Sequence, residues 1–264
     1  MRIGREAWSW RSLWWWLTVL AVVVQLKHHY SIATAAELEW MLRPLSQLLE
    51  WVTGHEFHRD NRAEWVSETA DVRLVKGCAG INFMLMSFMA YAWGVRPQGC
   101  AGTGLLPWIG RRLTLLFAAV VAAWATGLVA NSLRIIVAMN VESRGWQPDA
   151  LGSGAAGLHS LIGMAIYLSV LSVQMIWAER AMSRDAVAAA FLLYLLLMVV
   201  VPLLTGNAMQ HPTLFLEHLL SLSVMMAVMW SICSLLPALY RRGWARRSGS
   251  QTGSGSGGFS QHRS

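Results

Sequence analysis

Charge is what this sequence has least of. Only 13% of its 264 residues are Asp, Glu, Lys or Arg, about half of the ~25% usual in soluble domains. The shortage excludes an ordinary soluble domain, whose elements alternate apolar and polar stripes. Cysteine is scarce too. There are three, and no two form a C-x-x-C pair, the pattern a thiol oxidoreductase would want. A phosphate loop is absent as well: GCAGTGLLPWIG at 99–110 has glycines but no G-K-[ST]. No small-residue cleavage site follows the first apolar run, LWWWLTVLAVVVQL, which we therefore expect to be a retained signal anchor.

More than half of the chain is apolar, with fifteen tryptophans and fourteen methionines. Crossing a bilayer core of ~30 Å takes ~20 mostly apolar helical residues, and several runs are long enough. The expected fold is an all-α polytopic membrane protein. Six spans are expected, over 9–26, 79–95, 113–140, 158–178, 186–204 and 216–239. The net charge of +7 would by itself suggest nucleic acid, but the basic residues gather at the ends of apolar runs. Arg2, Arg5 and Arg11 precede the first span; Arg96, Arg111 and Arg112 precede the third. Arg180 and Arg184 follow the fourth, and Arg241, Arg242, Arg246, Arg247 and Arg263 lie in the tail. The two short loops on the other side hold only Arg144. The positive-inside rule then puts both termini in the cytoplasm.

The chain reads as one membrane domain, 1–247, with a long outer loop at 27–77 and a Gly/Ser-rich tail at 248–264 expected to be disordered. Within the loop, AELEWMLRPLSQLLEWVT at 36–53 repeats apolar residues at helical spacing, as an interfacial or re-entrant helix does, with Pro44 expected to kink it. Residues 55–76 mix five acidic and four basic side chains. Asp60-Asn61 offers a turn and DVRLV alternates as a strand, which predicts a small external hairpin.

This topology brings three reactive groups to one level. Cys78 opens the second span from outside. Arg134 lies six residues before Asn140 in the outer half of the third, and His159 opens the fourth in GLHSLIG. The positive end of a helix dipole and a nearby cation both favour a thiolate. An arginine within a span usually faces a partner or a wet cavity. A histidine beside a thiol can hold its proton and return it to a leaving amine. Asn131 at i−3 shares the Arg134 face, and Asn82 at i+4 shares that of Cys78. With Ser160 they are candidates for substrate binding or for support of the site. Cys100 is expected in a cytoplasmic loop and Cys233 in the inner half of the sixth span, which leaves Cys78 unpaired in an oxidising compartment.

Each group has a plainer reading. Cys78 alone is a small buried hydrophobe. Arg134 alone can snorkel to headgroups. A lone His159 is a cap or interface group, and Glu217-His218 a cap at the start of the sixth span. His28, His29, His55 and His58 raise the question of a metal, but no completing carboxylate or cysteine set is apparent, and neither metal nor cofactor is expected. Trp8 to Trp16 read as an interfacial belt.

The motifs C-A-G-I-N-F at 78–83, N-S-L-R at 131–134 and H-S-L-I-G at 159–163, with LEWVTG before them, resemble the exosortase/archaeosortase family over residues 40–180. One span precedes the cysteine here, so the resemblance is to a compact or divergent subtype. It implies a membrane-embedded cysteine transpeptidase that cuts the C-terminal sorting tail (PEP-CTERM-like) of exported proteins and passes the acyl group to an acceptor. Such tails carry a short Pro-containing motif, an apolar span and a basic end. By that resemblance Cys78 is the nucleophile, His159 the general acid/base, and Arg134 steadies the thiolate or oxyanion. The partners implied are tailed exported proteins and the lipid bilayer. The competing readings are a non-catalytic transporter or assembly scaffold, which would favour internal symmetry, and a thiol oxidoreductase.

Overall fold

The computed structural model describes residues 10–96, 105–144, 154–179 and 184–200, and beyond them 203, 215–216, 219–228 and 230–231. The chain is mostly helical: α1 (Trp10–Ile32), α2 (Glu39–Thr53), α3 (Ile81–Gly94), α4 (Leu105–Glu142), α5 (Gly154–Glu179) and α6 (Arg184–Leu195), the last running into a π-helical turn, Leu196–Val200. Leu106–Glu142 and Leu161–Glu179 are long and apolar enough to cross a membrane. Residues 219–228, from the sixth expected span, are helical; the end of that span, 232–239, with Glu217, His218 and Cys233, lies outside the described residues, as do Cys100 and the tail.

The second expected span differs from its forecast. Its helix, α3, has 14 residues, about 21 Å at 1.5 Å per residue and short of a bilayer core. It is buried along nearly its whole length, from Ile81 through Phe83, Leu85 and Phe88 to Ala92, and packs on α1, α4, α5 and α6. A helix enclosed by other helices meets little lipid, so bilayer thickness does not set its length.

One end of the bundle is tied by aromatic and charged groups. Trp93 Nε1 donates to Glu179 at the end of α5. Arg96 lies 3.4 Å from the same carboxylate and 4.7 Å from the Trp93 ring centroid. Arg112 donates to the Val95 carbonyl at 2.7 Å, and Trp16 of α1 meets Trp93 at 5.6 Å.

At the other end sits the loop after α1. Thr34 and Glu37 form a reciprocal pair, Thr34 N–H donating to Glu37 at 2.7 Å and Glu37 N–H to the Thr34 hydroxyl at 3.4 Å. The T-x-x-E spacing makes that box possible and steers the chain toward α2. α2 continues across Pro44, buries Met41, Leu42, Leu45 and Leu49, and ends at Gly54 in the left-handed conformation, a common helix stop.

The forecast hairpin is a three-stranded antiparallel meander: β1 (His58–Arg59), β2 (Trp65–Ser67) and β3 (Val72–Leu74), in that order. Asp60 makes the first turn, its Oδ1 accepting from the N–H groups of Arg62 and Glu64 at 2.8 and 2.9 Å. Trp65 and Val72 are half-buried, and Ser67 and Leu74 fully buried, on one face. Arg73 and His58 stand exposed on the other.

Candidate functional site

The site grows from the sequence VKGCAG. After β3 the chain makes a 3-10 turn, Lys76–Ala79, in which Cys78 N–H donates to the Val75 carbonyl at 2.8 Å. Gly80 follows at φ +68°, and only then does α3 begin. A Cβ on Gly80 would lie 3.1 Å from Asn131 Cγ. Both its backbone angle and this close approach call for glycine.

This break corrects one expectation. Cys78 stands in the turn before α3 rather than in its first helical turn, so the i+4 argument does not put Asn82 beside it. Asn82 instead accepts a hydrogen bond from Lys27 Nζ of α1. Burial there pushes the Lys27 ammonium below the ordinary lysine value.

Asn131 takes the nearer position. Its side-chain N–H donates to the main-chain carbonyl of Cys78. Its Oδ1 accepts from the Tyr167 hydroxyl at 2.8 Å, and that hydroxyl accepts from Arg134 at 3.2 Å. A single hydrogen-bonded line thus runs from the Arg134 guanidinium through Tyr167 and Asn131 to the cysteine turn, and joins α4, α5 and the chain before α3. The Tyr167 ring is held by stacking on Phe83 with centroids 4.4 Å apart, and the Arg134 guanidinium lies 5.8 Å from the same ring centroid.

Arg134 also lies along α5. A Cβ on Gly163 would come within 3.0 Å of Arg134 Cδ, so the glycine of H-S-L-I-G leaves room for the arginine of N-S-L-R. The α5 backbone carries His159 one turn before Gly163 and two before Tyr167, on one stripe of the helix. The side chains of His159 and Ser160 themselves lie outside the described residues.

Cys78 is a free, partly exposed thiol. Tyr30 of α1 completes its surroundings. Burial raises the Tyr30 phenol above its ordinary value, a nearby Cys78 thiolate adds to the rise, and the Arg134 guanidinium opposes it. Lys76, two residues before the thiol, lies 5.2 Å from the Tyr30 ring centroid and donates to the Ser31 carbonyl at 3.1 Å. Arg134 and Lys76, with Tyr167 and Tyr30, thus lie on the elements that meet at the cysteine turn, and a preorganised cation of this kind is the sort of group that can stabilise a developing oxyanion.

Of the site residues expected from sequence, Cys78, Asn131 and Arg134 come together, and Asn82 is turned to Lys27. Tyr167 and Tyr30 were missed. The available signal for Tyr167 was a phenol on the helical stripe of His159 and Gly163, since a buried tyrosine hydroxyl usually finds a polar partner. Among the described residues no cluster of His, Cys, Asp or Glu forms a metal site. His55 is 3.2 Å from the Thr69 hydroxyl. No protein-family model matches this chain, and no curated protein or solved structure does.

Proposed function

We propose that this chain is a membrane-embedded cysteine peptidase/transpeptidase of exosortase/archaeosortase type, acting on the C-terminal sorting tails of exported proteins. What carries the reading is the hydrogen-bonded line from Arg134 through Tyr167 and Asn131 to the Cys78 carbonyl, which ties two of the three sequence motifs together at the turn that carries the thiol. The third motif supports it through Gly163, whose missing side chain admits Arg134, and through His159 on the same stripe of α5. In this reading the chain crosses the inner membrane six times. Both termini are cytoplasmic and the cysteine turn, outer sheet and α2 face outward. Trp51 of α2 is 83% exposed, which suits a helix lying in the membrane interface.

The chemistry follows from the groups present. The Cys78 thiolate attacks the scissile carbonyl carbon, and Arg134 offers positive charge to the developing oxyanion. As the C–N bond breaks, His159 gives a proton to the departing amine and the acyl group stays on Cys78 as a thioester. Water or an acceptor amine then attacks the thioester, gives its proton to His159 and releases the Cys78 thiolate, which returns both groups to their starting state.

The test is processing of an exported protein that ends in a short Pro-containing motif, an apolar span and a basic end. It is co-expressed with the wild type or with Cys78→Ala, Arg134→Ala or His159→Ala and followed by gel shift. The reading requires loss of processing in all three variants. Full processing by Cys78→Ala would move the scaffold or transporter reading to the front.

A further inference from the structure

The free edge of the outer sheet leads directly into the cysteine turn, and its hydrogen-bonding groups can be located from register alone. Asp60 N–H donates to the Glu64 carbonyl at 2.9 Å, which makes Arg59↔Trp65 a non-hydrogen-bonded pair and His58↔Val66 a hydrogen-bonded one. The peptide groups of Val66 are therefore committed to β1. On the other side of β2 the alternation then makes Trp65↔Leu74 and Ser67↔Val72 the bonded pairs, with Val66↔Arg73 non-bonded. It follows that the N–H and C=O of Arg73 point away from the sheet. Among the described residues, no hydrogen bond outside the ladder reaches them.

Edge strands are commonly guarded by a charged side chain. Here the Arg73 guanidinium is drawn back over the sheet's own outer face, 3.1 Å from Glu64 and 3.4 Å from Asp60. The edge is also stiffly joined to the thiol, because the Val75 carbonyl accepts the Cys78 N–H at 2.8 Å.

We propose that β3 is a docking edge for the substrate backbone: the extended peptide on the acyl side of the scissile bond adds as a fourth strand against Arg73. This rests on the cysteine-peptidase reading and adds how the substrate is held. The acyl side is the occupant because the other side of the cut continues into an apolar span and must return to the membrane. The segment before the cut lies outside, at the level of the sheet. Pairing there keeps the acyl group in place after the amine has left. It reads main-chain groups, so it tolerates varied side chains next to the cut.

The test uses a sequence-neutral probe on the full-length protein in detergent. Acetyl-tetraalanyl chloromethyl ketone is compared with chloroacetone, the same warhead without a peptide. Each alkylates the thiolate with loss of chloride. The peptide probe should label Cys78 about tenfold faster than chloroacetone, the gain expected of two main-chain hydrogen bonds. N-methylation should abolish the gain at alternate amides and leave it intact at those between, since strand pairing has a period of two. Arg73→Pro, which removes an outward N–H and no ladder bond, should abolish the gain and leave the chloroacetone rate unchanged.

A gain indifferent to the position of methylation would overturn the proposal in favour of a side-chain groove and leave the peptidase reading standing. A change of oligomeric mass in Arg73→Pro with an unchanged probe rate would assign the edge to contacts between copies and also overturn it. If Cys78 reacts with neither probe, the peptidase reading fails and this inference with it.

Discussion

Asn131 on α4 donates its side-chain N–H to the main-chain carbonyl of Cys78, across a sequence separation of 53 residues. The bond fixes the turn that carries the thiol to the helix that carries Arg134. Its other end is fixed by Tyr167, whose hydroxyl is bonded to both Asn131 and Arg134. Positioning of the thiol and positioning of the cation are therefore coupled through one phenol.

That coupling predicts the behaviour of Tyr167→Phe. The ring keeps its stack on Phe83 and only the hydroxyl is lost. Stability should fall by about 1 kcal/mol, as for one hydrogen bond, read as a small drop in melting temperature in detergent. Processing should fall by about tenfold, because a misplaced oxyanion donor alone costs on that order or more. A variant as active as the wild type would remove Tyr167 from the account of the site.

The two glycines flanking Cys78 give a paired test. Gly80 has φ +68° and a neighbour 3.1 Å from its would-be Cβ, whereas the nearest atom to a Cβ on Gly77 is 4.0 Å away. Gly80→Ala should cost about 1–2 kcal/mol from the left-handed backbone alone and should also push Asn131 off the Cys78 carbonyl. Gly77→Ala should leave melting temperature and processing near wild type. Equal effects of the two would mean that the Gly80 geometry does not matter to the site.

The three-stranded sheet has its own pH signature. Hydrogen bonds from the Glu64 and Arg62 N–H groups, helped by Arg73 and Arg62, hold the Asp60 carboxyl below its ordinary value of 3.8. A depressed folded-state value means that the stabilisation is fully present above the unfolded value and is lost as pH falls through the folded one. Amide exchange at Arg62 and Glu64 should show constant protection from neutral pH down to the ordinary carboxylate range and weaken below it, after correction for intrinsic exchange rates. Asp60→Asn keeps an acceptor oxygen and should abolish that acid-dependent loss. If the Asp60→Asn variant loses protection with the same acid profile, another carboxylate is responsible.

Much of the three-stranded sheet was legible in local sequence, because its signals are local. Asp60-Asn61 makes a turn and DVRLV alternates, so the strands follow from adjacent residues. Cys78 and Arg134 stand out in the sequence because each ends or interrupts an apolar run, and the structure links them through Asn131 and Tyr167; the side chain of His159 lies outside the described residues. The break at Gly80 was not legible, since KGCAGIN reads as a continuous helix start and the reason for the left-handed glycine is Asn131, a residue of another helix. Tyr167 was hidden for the same kind of reason. A tyrosine in an apolar run satisfies the pattern of a packed span, and its two polar partners are far away in the chain. The short length of α3 was concealed by composition, which reports apolar surroundings without distinguishing protein from lipid.

The central claim is that Cys78 forms an acyl-enzyme, and the most direct measurement is the mass of the protein caught during turnover. Wild type and Cys78→Ala would be co-expressed with a tailed exported protein, quenched in acid and digested, and the peptide containing residue 78 examined by mass spectrometry with and without hydroxylamine. The account predicts an acyl adduct on Cys78 in the wild type that hydroxylamine removes, as it removes thioesters, and no adduct in Cys78→Ala. Processing of the tail with Cys78 unmodified in the wild type, and continuing in Cys78→Ala, would contradict it.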